Sequence, residues 1–124
     1  MTMTQTTTEN HARVQALSAA RDAAAPLAAQ ALEIAAAAVA TAAMAVESTE
    51  RREALSGAAG ACREKLAAAQ EAAAKIRHCQ AEIARNDRGA DASSAAARGR
   101  EAIMHAAKAA EQARLAMHWL TTVL

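Results

Sequence analysis

Four histidines (His11, His78, His105, His118) and two cysteines (Cys62, Cys79) are the residues of this chain best equipped for metal or nucleophile chemistry. Glu101 and His105 are four apart, as are His78 and Glu82, so on a helix each pair shares one face. A di-iron bundle needs Glu-x-x-His on two helices, with further glutamates turned inward. No Glu-x-x-His occurs here. His78 and Cys79 are neighbours, and adjacent side chains on a helix diverge by about 100°. Nothing has the spacing of a zinc site. Glu101 and His105 flank the predicted core of their helix and read as an exposed i,i+4 pair. Cys62 falls on an apolar seam and reads as a small buried hydrophobe. Cys79 flanks that seam beside Arg77 and His78, neighbours that lower a thiol's pKa, and is the one candidate for a reactive thiol. Serines and threonines gather at ends and turns, where capping accounts for them, and the four glycines form no phosphate loop. On these residues no catalytic group, cofactor or metal site is assigned, and the chain reads as non-enzymatic.

The background that must position these residues is unusual. Of 124 residues, 42 are alanine, and Trp119 is the sole aromatic. Alanine is the strongest helix former, whereas a β-rich fold wants β-branched and aromatic side chains. Leu, Ile and Val total 16, few enough to suggest disorder, but the net charge of +1 is far from the high charge that disorder also expects. That balance also removes the basic stripe a nucleic-acid partner requires. Two cysteines are no disulfide framework. On one helix Cys62 and Cys79 would stand about 25 Å apart, too far to bond within the chain. Met1 to Asn10 lacks a basic stretch followed by an apolar one, so no signal peptide is expected and a reduced, cytoplasmic setting is the default. Leu27 to Val46 carries Glu33 as its only charge, but half of it is alanine, and it reads as a buried bundle helix rather than a membrane span.

The order of elements follows from caps and breakers. Thr6-x-x-Glu9 has the form of a capping box, so a short N-terminal helix or arm begins near Thr7 and fades by Arg21, within 1–22. Asp22 caps the next helix, with Pro26 in its first turn; the alternative is one long helix kinked at Pro26. That helix is expected to end near Leu55, on Ser56-Gly57 and Gly60, with Ser48-Thr49-Glu50 as a rival break. A third helix runs from about 58 to 86 and stops at Asn86-Asp87-Arg88-Gly89. The last starts at Asp91 or Ser93/Ser94 and reaches the C-terminus. Three helices of about 30 residues with short connections describe a single all-α domain over 1–124, an alanine-rich antiparallel bundle.

Spacings of three and four fix the expected seams. In the third helix the seam is Leu55, Ala59, Cys62, Leu66, Ala69, Ala73, Ile76, Gln80 and Ile83. In the last it is Ile103, Ala106, Ala110, Ala113, Met117, Leu120 and Leu124. The helix after Asp22 has two: Leu27, Ala31, Ile34, Ala38, Thr41, Ala45, and Leu32, Ala36, Val39, Ala43, Val46. A helix apolar on two faces is packed on both, so this one is expected to be the most buried. With Met1 and Met3 set aside, 20 large apolar side chains remain, a thin core for about a hundred ordered residues. The chain is therefore expected to share its core with a second copy.

Leu115, Trp119 and Val123 form a stripe at i, i+4 and i+8 that faces away from the last helix's seam, and such stripes have partners. Three covers are open: the N-terminal arm through Val14 and Leu17, a second copy, or another protein. The candidate interface is this stripe together with Leu32, Val39 and Val46. The Trp-x-Gly turn of one class of secreted helical hairpins is missing, since the candidate turn reads Leu55-Ser56-Gly57. The chain reads as a helical bundle working by protein–protein contact, a self-associating scaffold or adaptor, with a homo-oligomer or another helical protein as partner. The alternative is a small secreted or effector-type helical protein recognised by export machinery.

Overall fold

A computed structural model of the chain describes residues 2–52, 56–85 and 92–124. Three helices account for almost all of them: α1 (Thr2–Arg51), α2 (Ser56–Ala84) and α3 (Ala92–Thr121). No strand occurs among the described residues. Cross-helix contacts give the directions. Arg63 near the start of α2 pairs with Glu50 near the end of α1, and Cys62 bonds the Ala116 carbonyl near the end of α3. Gly99 near the start of α3 lies against Ala24 of α1. The bundle thus runs up, down and up, with α2 antiparallel to both neighbours and α1 parallel to α3.

The expected short N-terminal arm is not a separate element, because α1 continues through Pro26 without a break. Pro26 and Asp22 are both exposed. The ring therefore faces water, and the Asp22 carbonyl that loses its amide partner can be hydrated. The second boundary also differs. Helix α1 ends at Arg51 and α2 begins at Ser56, so Gly57 and Gly60 open a helix instead of ending one. Thr49, in the rival break, is 2% exposed, and its hydroxyl donates back to the carbonyls of Ala45 (2.8 Å) and Val46 (3.0 Å). That bonding satisfies the hydroxyl inside a helix and leaves it no role as a cap. Leu55 and the turn at 86–89 lie outside the described residues.

Each helix contributes one stripe at alternating spacings of four and three. On α1 it is Ala24, Ala28, Ala31, Ala35, Ala38, Ala42, Ala45 and Thr49, none more than 5% exposed. On α3 it is Ala95, Gly99, Ala102, Ala106, Ala109, Ala113, Ala116 and Leu120, all buried. The α2 stripe is the expected one from Ala59 to Ile83, and it carries the larger side chains Cys62, Leu66, Ile76 and Ile83. Alanine and glycine therefore face each other between the two parallel helices, while α2 fills the third side. A Cβ placed on Gly99 would meet the Ala24 Cβ at 3.3 Å, a measure of how closely α1 and α3 approach.

The expected seams of two helices are corrected. The α3 stripe is turned by roughly 50° from the expected line, about half the step between successive residues. Ile103 and Leu124 are consequently exposed, and Met117 is only half-buried. On α1 the buried line keeps Ala31, Ala38 and Ala45 of the first expected seam but replaces Leu27, Ile34 and Thr41 with Ala28, Ala35 and Ala42. Leu32, Val39 and Val46 pack beside it, but Ala36 and Ala43 are exposed, as are Leu27 and Ile34 on the other side. Close approach explains both shifts, since the pair of helices that comes nearest keeps its smallest side chains between the backbones and pushes larger ones to the flanks.

Candidate functional site

Rotation of α3 decides the environment of His105. The positions flanking its stripe on the α2 side are Arg98, His105, Gln112 and Trp119, and the corresponding positions on α2 include Ala72 and Cys79. His105 is 6% exposed, so the expectation of an outward Glu101–His105 pair holds only for Glu101. Cys79, expected beside the seam, is buried at 1%. Together Cys79, Glu101 and His105 place a thiol, a carboxylate oxygen and an imidazole nitrogen within 4.8 Å of one another.

The electrostatics of this cluster follow from its neighbours. Arg98 donates to Glu101 at 2.5 Å, and that hydrogen bond holds the Glu101 carboxyl below the usual range. Nε2 of His105 stands 3.6 Å from the other carboxylate oxygen, beyond a hydrogen bond. Nδ1 of His105 is buried and has no partner among the described residues. Burial first, and the Glu101 carboxylate next, push the Cys79 thiol above its ordinary pKa; Arg98 opposes them with less effect. The reading of Cys79 as a thiol activated by Arg77 and His78 is thus reversed: Arg77 and His78 are exposed, and desolvation dominates. His78 turns outward and pairs with Glu82 at 3.4 Å. Cys62 behaves as expected, fully buried, its thiol donating to the Ala116 carbonyl at 3.4 Å.

A second feature lies on the opposite flank of α3. Leu27, Gln30, Ala31 and Ile34 of α1 and Ile103, Ala106, Ala107 and Ala110 of α3 line a groove of about 310 Å³. No charged side chain lines it. Leu27, Ile34 and Ile103 are 38%, 51% and 46% exposed, and Met44 continues the same edge of α1 toward the far end of the bundle. These residues were legible as the first expected seam of α1 and the expected seam of α3. Both stripes are real, but the bundle covers only their inner edges.

The expected interface residues are distributed differently. Leu32 and Val39 pack against the main core, and Val46 and Val123 against the cluster of Ala42, Ala45, Cys62, Ala116 and Leu120. Leu115 is half-buried, and Trp119 remains 39% exposed. Val14 and Leu17 sit near the opposite end of α1 from the end that meets Trp119, and Val14 is exposed, so the N-terminal segment does not cover the tryptophan. By length and composition alone α1 is long and apolar enough to cross a membrane, a test that core helices of bundles also pass. No protein-family model, curated protein or solved structure matches the chain.

Proposed function

We propose that this chain is a non-enzymatic helical bundle that acts by protein–protein contact, as a self-associating scaffold or adaptor, through the groove between α1 and α3. The observation that carries the reading is the exposed, uncharged strip of Leu27, Ile34 and Ile103 along that groove. An alanine seam leaves these large side chains outside the core of one chain, and an apolar strip of this kind is the signature of a covered surface. A second copy supplies an apolar face of the same length, and two-fold pairing sets like against like without any unpaired charge. The free thiols suit a reducing, cytoplasmic setting.

Light scattering or sedimentation at micromolar concentration tests this. The expected species is a multiple of the 12.8 kDa chain. Ile34→Glu with Ile103→Glu reduces it to a monomer of unchanged helicity, because burying two unpaired carboxylates costs more than the strip contributes. Trp119→Ala, on the other flank of α3, leaves the size unchanged. A wild-type chain that stays monomeric overturns the reading.

A further inference from the structure

The Cys79–Glu101–His105 cluster is not used by the groove, and its chemistry is specific. The three groups differ in kind: a soft sulfur, a borderline imidazole nitrogen and a hard carboxylate oxygen. Two helices bring them together, Glu101 and His105 one turn apart on α3 and Cys79 facing them from α2. His105 is the anomaly, because its buried Nδ1 has no hydrogen-bond partner among the described residues, while its Nε2 stands 3.6 Å from the Glu101 carboxylate. We propose that Cys79, Glu101 and His105 bind one zinc-class divalent cation, with the sulfur, one carboxylate oxygen and one imidazole nitrogen as its protein ligands.

This ligand set selects among cations. Magnesium and calcium take all-oxygen shells, whereas thiolate with imidazole suits zinc. Zinc holds such ligands at about 2.0–2.3 Å, so the three atoms, now within 4.8 Å of one another, draw together by roughly 1 Å on binding. Three protein ligands leave a fourth position for water. The cation enters past Glu101, whose side chain is 36% exposed while that of His105 is 7%. Binding displaces the proton of the Cys79 thiol to solvent, the carboxylate is already ionised, and the imidazole supplies a lone pair. Arg98 orients the carboxylate from outside by holding its other oxygen. Thiolate and Glu101 bring two negative charges, and the nearby Arg98 and Glu82 cancel one another, so a divalent cation leaves the site neutral.

The test uses the full, reduced, chelator-stripped chain titrated with cobalt(II) and then zinc. Cobalt is expected to bind one per chain with a thiolate-to-cobalt charge-transfer band, which zinc abolishes by displacement. Cys79→Ser removes the band. His105→Gln weakens zinc by more than the roughly 10–100-fold that losing an outer partner costs. Cys62→Ser and His78→Ala keep both band and affinity, which separates this site from the other thiol and from exposed histidine. Zinc also raises the melting temperature of the wild type but not of Cys79→Ser. Absence of saturable one-to-one binding by the folded wild type overturns the proposal, as does a charge-transfer band that survives in Cys79→Ser.

Discussion

At the scale of single residues, burial overrules sequence neighbourhood. Cys79 follows Arg77 and His78 in the chain, yet both point to solvent while the thiol turns inward. The consequence is measurable. In the metal-free folded protein at neutral pH, a thiol reagent modifies Cys62 and Cys79 only as fast as the bundle opens, and denaturant brings both to the rate of a free thiol. Rapid modification of Cys79 in the native chain would contradict its burial. The raised pKa of Cys79 also has a definite sign in stability. The folded chain keeps the thiol proton where the unfolded chain loses it, so this contribution is complete below the ordinary thiol range and falls away as pH rises through it. Replacing Cys79 by Ala removes that part of the alkaline slope. Surface ion pairs such as Arg51–Glu47 and Lys75–Glu71 contribute little by comparison, since both partners in each pair are largely exposed.

At the scale of elements, α1 follows the alternative reading of Pro26, a single long helix. Breaking a helix before a proline is the usual outcome, because the ring removes one hydrogen bond and crowds the preceding turn. Here the flanking alanines have such strong helix propensity, and the stripe from Ala24 to Ala45 packs so continuously, that the helix carries the proline on its solvent side. Pro26→Ala therefore stabilises the chain by about 1–3 kcal/mol in denaturant melts, the cost of an interior proline recovered. A change near zero would instead place Pro26 in the first turn of a separate helix, where its missing N–H costs nothing. The close pairing of α1 with α3 belongs to the same scale. Only alanine and glycine let two backbones come as near as Ala24 and Gly99 do.

At the scale of the whole molecule, α1 is longer than its partners, with 50 residues against 29 and 30. Since Ala24 lies opposite Gly99, α3 at Ala92 begins near the height of Leu17, and among the described residues no helix lies beside the part of α1 before that. Residues 8–16 are exposed on every side. A chain starting at Gln15 is therefore expected to melt within about 0.5 kcal/mol of the full chain, in the range of ordinary surface changes. A larger loss would show that the segment packs on the bundle. The apolar strip between α1 and α3 lies along the covered part of α1, so the same truncation leaves the size of the assembly unchanged.

Helix content and the α2 seam were readable from the chain itself, because alanine propensity and a three-four repeat act locally, whereas the boundary expected near Asp22 was not. The buried cysteine at position 62 was legible for the same reason. The rotation of α1 and α3 was not. With alanine at more than one position in three, several faces of one helix look equally apolar, and the large residues Ile34 and Ile103 drew the expected seams toward themselves. Only packing resolves that degeneracy, because the distance between two backbones is a property of the pair and not of either helix. The meeting of Cys79 with Glu101 and His105 depends on the same rotation. The residue types were visible in the sequence, and the tertiary structure alone decided that a thiol on one helix would face an imidazole on another.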